Sequence, residues 1–181
     1  GQFEATTKLH ELAPLVPMMA ESPLFYVAIG LALVGFLFKV AAFPFHSWTP
    51  DVYNGTPTPM AGFMATGSKM AAFIALAFFM YRAVPIADEK ATGILAVLAL
   101  VSMIFGNAVA LQQTNVKRIL AYSSIAHTGY LLLGIISGPE GYKAVIFYLF
   151  IYAFMTIGAF GIVGMVEKEG GDAELAGWKG L

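Results

Sequence analysis

The sequence predicts an all-α fold, a polytopic transmembrane helix bundle of about five membrane helices, the first broken near Pro44. Three observations carry this. Of 181 residues, 59% are hydrophobic and 12% charged, and mean hydropathy is +0.76. A soluble domain carries about twice that charged fraction and leaves too much surface in water to hide so much apolar area. The charges are also clustered, leaving charge-free runs at 22–38, 52–68, 70–81, 91–116, 119–139 and 144–166. A bilayer core of about 30 Å needs about 20 apolar residues as a helix. Disorder is excluded, since it needs low hydrophobicity and high charge.

Residues 1–21, with Pro14 and Pro17, read as an extramembrane loop or interfacial segment. The first membrane segment, 22–52, would extend about 45 Å as an ideal helix, too long for a straight crossing. It contains Pro44 and Pro50, and proline removes a backbone donor and clashes with the preceding turn. A break near 41–44 follows; broken backbone at this depth is tolerated where protein buries it or it lines a watery cavity. The alternative is a plain proline kink. Asn54-Gly55 and the flanking prolines make a turn, and Thr56 or Thr58 caps the second segment, 57–82. The third, fourth and fifth segments span 91–114, 118–137 and 142–166. The tail, 167–181, is polar and Gly-rich, with Leu175, Trp178 and Leu181 at threes; it reads as a polar linker or an interfacial segment. Gly158, Gly161 and Gly164, and Ala61 with Ala65, read as packing seams.

The formal net charge of −1 gives no bias toward nucleic acid. With no cysteine, disulfides and thiolate-held metals or iron–sulfur clusters are excluded. No charged n-region followed by a short apolar core and cleavage site is visible in this sequence, and the abrupt opening at Gly1 leads us to expect an internal piece of a longer chain. The positive-inside rule is tied: Lys117, Arg118, Lys168 and Lys179 on one side, Lys8, Arg82, Lys90 and Lys143 on the other.

Three residues stand where apolar ones belong. Lys39, Lys69 and His127 lie inside membrane segments. A charge at bilayer depth costs about 2.5–3.5 kcal/mol on insertion scales, so such residues face a cavity or a partner and mark ion paths. Lys39 stands just before Pro44, where broken backbone leaves carbonyls free. Thr66 and Ser68 flank Lys69. Ser123 and Tyr130 share the His127 face at helical spacing, and imidazole can accept a proton on one nitrogen while donating from the other. The bland alternatives are snorkelling for Lys39 and Lys69 and a neutral packing role for His127. His46 and Trp48 read as interfacial anchors; a bis-histidine haem from His46 and His127 fails on their mismatched depths. No Asp or Glu lies within the segments away from their ends, so both lysines lack an acidic partner in this chain. No nucleotide loop, metal-ligand cluster or nucleophile motif appears. Protonatable groups on successive helices, one beside a break, point to a proton path.

Residues 38–59 read Phe-Lys-Val-Ala-Ala-Phe-Pro-Phe-His-Ser-Trp-Thr-Pro-Asp-Val-Tyr-Asn-Gly-Thr-Pro-Thr-Pro. Residues 65–73 read Ala-Thr-Gly-Ser-Lys-Met-Ala-Ala-Phe, and 106–130 read Gly-Asn-Ala-Val-Ala-Leu-Gln-Gln-Thr-Asn-Val-Lys-Arg-Ile-Leu-Ala-Tyr-Ser-Ser-Ile-Ala-His-Thr-Gly-Tyr. These stretches resemble the antiporter-like membrane subunits of respiratory complex I, most of all the subunit N line of NADH-quinone oxidoreductase, with its relatives in mitochondria and plastids. The likeness covers nearly all of 24–165 and the tail 175–181. It implies a fold of fourteen helices with two inverted five-helix repeats, of which this chain resembles helices seven to eleven, the seventh broken. It implies that Lys39 takes and releases the pumped proton, that Lys69 links it onward, that Pro44 makes the break, and that His127 matches a histidine of the tenth-helix motif. It also implies that the first and third loops between segments face the cytoplasm. The family's acidic residue on an earlier helix and the lysine of its second broken helix are absent here, so this stretch alone is not expected to pump.

The resemblance further implies an enzyme subunit without a redox centre of its own. NADH, FMN, iron–sulfur clusters and quinone belong to the parent complex, and no cofactor or metal to this chain. The expected partners are the neighbouring antiporter-like and small membrane subunits and the lipid bilayer, not nucleic acid. The expected location is a bacterial plasma membrane, with mitochondrial inner and thylakoid membranes as alternatives. Two other functions remain: a multisubunit cation/proton antiporter, and a purely structural helix bundle.

Overall fold

The computed structural model describes residues 11, 13–19, 22–83 and 89–178. Most of the 1–21 segment lies outside these residues, as do Arg82's side chain, loop residues 84–88, Lys179 and Leu181. Within the first segment, Ala13–Leu15 form a 3-10 turn and Val16–Met19 one helical turn.

Helix α1 (Pro23–Val40) is followed by a non-helical break and a short α2 (Trp48–Gly55). Next come α3 (Thr58–Phe63), a π-helical turn (Met64–Ser68) and α4 (Lys69–Ala83) in one continuous span. Helices α5 (Glu89–Ala110), α6 (Val116–Ile136) and α7 (Pro139–Lys168) complete the bundle. Among the described residues, five stretches are long and apolar enough to cross a membrane: Pro23–Val40, Thr58–Tyr81, Ala91–Ala110, Val116–Ile136 and Pro139–Lys168. Proline opens both α1 and α7, where a missing N–H costs nothing. Asn115 caps α6, its side-chain oxygen accepting from the Arg118 N–H at 3.2 Å. The tight α6–α7 turn uses Gly138 at φ 77°, a conformation glycine adopts without penalty.

One core cluster joins α1, α4, α5, α6 and α7 through Leu37, Val40, Phe73, Leu76, Leu95, Leu131, Leu132 and Leu149. A second joins α2, α3, α6 and α7 through Tyr53, Ala61, Ala65, Ala121 and Phe160. Backbones approach closely along two seams: α6 on α7, where a Cβ added at Gly141 would overlap the Gly134 carbonyl oxygen, and α5 on α6. A Cβ added at Gly106 would stand 2.7 Å from the Ala126 nitrogen, and one at Gly129 would stand 2.5 Å from the Ala99 carbonyl oxygen. The expected seam on α7 is different: Gly158 and Gly161 have nothing within 4 Å of a Cβ, and Gly164 meets only Thr58, at 3.6 Å. A three-residue spacing of glycine marks a face, but only the partner helix decides which face is closely approached. Leu24, Leu31, Phe147 and Phe154 are exposed on the outer surface, which suits an apolar solvent.

Polar contacts gather at one end. Arg118 pairs with Asp51 at 2.7 Å. The buried Lys117 donates to the Thr56 carbonyl at 3.1 Å and pairs with Glu167 at 3.3 Å, while the Thr58 hydroxyl also donates to Glu167. The tail folds back on the α5–α6 loop: Val116 N–H donates to the Ala173 carbonyl at 2.7 Å and Leu175 N–H to the Thr114 carbonyl at 2.8 Å. Leu175–Trp178 form a 3-10 turn.

Candidate functional site

The site is built around the break. Pro44 has no N–H and stands four residues after Val40, so the Val40 carbonyl is left without its helical donor. Ala41 turns left-handed at φ 60°. This lets Ala41 N–H reach the Phe38 carbonyl at 3.1 Å and Ala42 N–H the Leu37 carbonyl at 2.9 Å. Such a helix end is usually made by glycine; a side chain there costs about 1–2 kcal/mol. Neighbouring helices supply what the proline removed. The Thr128 hydroxyl on α6 donates to the Val40 carbonyl at 2.7 Å. The Phe43 N–H donates to Ser102 Oγ on α5 at 3.0 Å, and the Trp48 indole N–H to the Phe38 carbonyl at 3.0 Å. Buried backbone groups are thus partnered by side chains, the condition for broken backbone at membrane depth. His46 is no interfacial anchor. It is buried, stacked on Phe43 at 5.3 Å and edge-on to Phe105 at 4.6 Å, because the break turns it inward.

Lys69 opens α4 directly after the π turn, a distortion often found at functional sites. The turn's Thr66 hydroxyl bonds back to the Gly62 carbonyl at 2.8 Å. Lys69 is 4% exposed. Its ammonium donates to the Ser124 carbonyl and to Ser124 Oγ, both at 2.5 Å, and lies 5.9 Å from the Tyr152 ring centroid. No acidic residue pairs with it among the described residues. Lys39, by contrast, is exposed on the bundle face and makes no hydrogen bond or ion pair among the described residues. The two lysines open onto one cavity of about 340 Å³, with Ser68, Trp48, Val52 and Tyr53 also in its wall.

His127 stands on α6 three residues beyond Ser124. Its Nδ1 is 2.5 Å from the Tyr148 hydroxyl on α7, and its ring lies 5.0 Å from that of Tyr152. Tyr130 meets the imidazole only edge-on, at 5.6 Å. Sequence spacing selected Ser123 and Tyr130 as partners on the same helix; the structure sets Tyr130 edge-on to the imidazole and adds Ser124, Tyr148 and Tyr152 around Lys69 and His127. Ser124 was adjacent in sequence but needed the rotation of α6 to be chosen. The tyrosines come from another helix, for which the four-residue spacing of Tyr148 and Tyr152 was the one available sign. Among the described residues no group of three or more His, Cys, Asp or Glu could hold a metal ion. A cavity of this size has room for several waters, so the arrangement can pass protons between the open and the buried lysine; the His127–Tyr148 pair is not in its wall, and Ser124, which accepts from Lys69, stands on the same helix as His127.

A family model described as NADH:quinone oxidoreductase/Mrp antiporter, transmembrane, matches residues 2–181. NADH-quinone oxidoreductase subunit N of Salinibacter ruber is 51% identical over 162 residues, covering 87% of this chain and 32% of the relative. Subunit N of Mycobacterium bovis is 50% identical over 159 residues, 84% of this chain and 30% of its own. The chain thus spans about a third of the length of the curated relatives it matches. Among solved structures, respiratory complex I from Thermus thermophilus with bound aureothin matches at TM-score 0.68 and 47% identity, over 79% of this chain and 31% of that one. A membrane-bound sulfane sulfur reductase, an archaeal respiratory complex, matches at TM-score 0.85 and 29% identity, over 96% and 36%. The Mrp complex from Dietzia matches at TM-score 0.81, 24% identity, over 91% and 30%, a likeness of fold.

Proposed function

The chain belongs to the NADH:quinone oxidoreductase/Mrp antiporter transmembrane family, and on that premise we propose that it is the proton-carrying middle of a membrane subunit of NADH-quinone oxidoreductase. The observation that carries the reading is the pair of lysines on one cavity, one buried without an acid and one beside the helix break. Identities near 50% to proteins named subunit N support the oxidoreductase over the multisubunit antiporter. A purely structural bundle gives no reason to keep a lysine 4% exposed among apolar helices.

In this mechanism Lys39 receives a proton at the mouth of the cavity, held there by a carboxylate from a helix outside this chain. When that carboxylate withdraws, the proton crosses cavity water to the Lys69 amine. Ser124 fixes the resulting ammonium with two acceptors from one residue. His127, seated against Tyr148, takes the proton onward, with Ser123 and Tyr130 as accessory polar groups and Pro44 maintaining the break. Electron transfer through NADH, FMN, iron–sulfur clusters and quinone belongs to the rest of the complex and drives the change of field. The partners are neighbouring antiporter-like and small subunits, and the location is the bacterial plasma membrane. In the assembled complex, Lys39→Ala should lower protons pumped per NADH oxidised severalfold. Unchanged pumping would overturn the assignment.

A further inference from the structure

We propose that Thr128 is a positioning residue for this proton transfer, its one hydroxyl proton shared between two carbonyls so that the broken end of α1 follows the seating of Lys69. The inference rests on the reading of Lys69 as a proton carrier. Thr128 is fully buried, and its Oγ1 lies 2.7 Å from the Val40 carbonyl and 3.1 Å from the Ser124 carbonyl. A hydroxyl has one proton to give. The two acceptors therefore compete, and the shorter contact shows which one holds it.

The Ser124 carbonyl is contested as well. A carbonyl has two lone pairs. In an α-helix one is taken by the N–H four residues on, here that of Thr128. The other is held by the Lys69 ammonium at 2.5 Å. With Lys69 seated, Thr128 is turned toward Val40. When the Lys69 side chain swings into the cavity it shares with Lys39, the lone pair on Ser124 opens and Thr128 bonds back to its own helix. Val40 then loses the donor that replaced the missing N–H of Pro44. Its carbonyl is on a residue with no exposed surface, so an unpaired state is unfavourable. The last turn of α1, which carries Lys39, loosens. The two lysines are thereby coupled through Ser124, Thr128 and Val40. Ser102 holds the other side of the break through the Phe43 N–H, and its own hydroxyl donates to the Leu98 carbonyl at 2.7 Å, with no link to Ser124. It is the matched control.

The test uses the assembled complex in membranes, reading protons pumped per NADH and amide hydrogen exchange across residues 37–45. Thr128→Val keeps the branched shape and removes the donor; it should lower pumping about fivefold, what one net hydrogen bond is worth. Thr128→Ser should restore it. Lys69→Met should raise exchange across 37–45 in the wild-type and Ser102→Ala backgrounds, and add nothing in Thr128→Val. Wild-type pumping by Thr128→Val, or an equal rise of exchange with and without the hydroxyl, reduces Thr128 to a fastener and sinks the proposal. Should Thr128→Val fail to assemble, unchanged exchange on Lys69→Met alone overturns it. Intact pumping by Lys69→Met removes the underlying reading, a result distinct from all of these.

Discussion

Gly129→Ala is a direct packing test of the α5–α6 seam, because a single methyl group meets the backbone of the facing helix. Its Cβ would stand 2.5 Å from the Ala99 carbonyl oxygen and 2.5 Å from Met103 Cγ. The methionine side chain can turn away, but the carbonyl belongs to α5. Ordinary contact begins at 3.4 Å, so α5 and α6 must part by about 0.9 Å. Overpacking of this kind costs about 1–3 kcal/mol. The displacement also travels to the break. Ser102 rides on α5 and accepts from the Phe43 N–H at 3.0 Å; moved by that amount it leaves hydrogen-bonding range. An unsatisfied N–H adds about 1–3 kcal/mol. A total of about 2–6 kcal/mol is a large part of the stability of any domain. Gly158→Ala on α7 is the companion, since nothing lies within 4 Å of its Cβ; it should be neutral or stabilising by up to about 1 kcal/mol. The assay is the amount of assembled complex in membranes and the temperature at which NADH-driven pumping is lost. Equal assembly and equal heat resistance of the two variants would refute the seam.

Other outcomes follow from single contacts. Lys117→Met leaves Glu167 with the Thr58 hydroxyl but without its cation and frees the Thr56 carbonyl; with Glu167 part-exposed, the loss should be about 1–3 kcal/mol, read as a lower inactivation temperature. Arg118→Ala removes an ion pair whose aspartate is largely exposed, so a shift above about 1 kcal/mol would contradict the weak surface pair assigned to it. Tyr148→Phe removes the hydroxyl at His127 Nδ1 and should slow proton transfer while leaving assembly normal. Pumping at the wild-type rate would take Tyr148 off the path.

Much of the bundle was legible because bilayer solvent imposes a strong rule on composition. Long charge-free runs become helices, and the few charges inside them stand out against a uniform background. The break was legible for a local reason: Pro44 removes a donor whatever surrounds it. Helix rotation was not legible. The hydrophobicity of α6 is nearly uniform around its axis, so no apolar stripe told Ser123 from Ser124 as the inward-facing serine. The π turn before Lys69 was equally hidden, since Ala-Thr-Gly-Ser marks a soft place in a helix without setting its hydrogen bonding.

The sequence by itself determined which stretches are long and apolar enough to cross a membrane, where the first of them must break, and which titratable groups stand within or beside them. Those properties are set by residue chemistry and chain spacing. Only the tertiary structure decided that α5 and α6 meet at Gly106 and Gly129, that Ser124 seats Lys69, and that Thr128 replaces the donor lost to Pro44. Each depends on how one helix is rotated against another. Rotation is settled by close packing and by the pairing of buried polar groups across the bundle, neither of which exists until the helices have met.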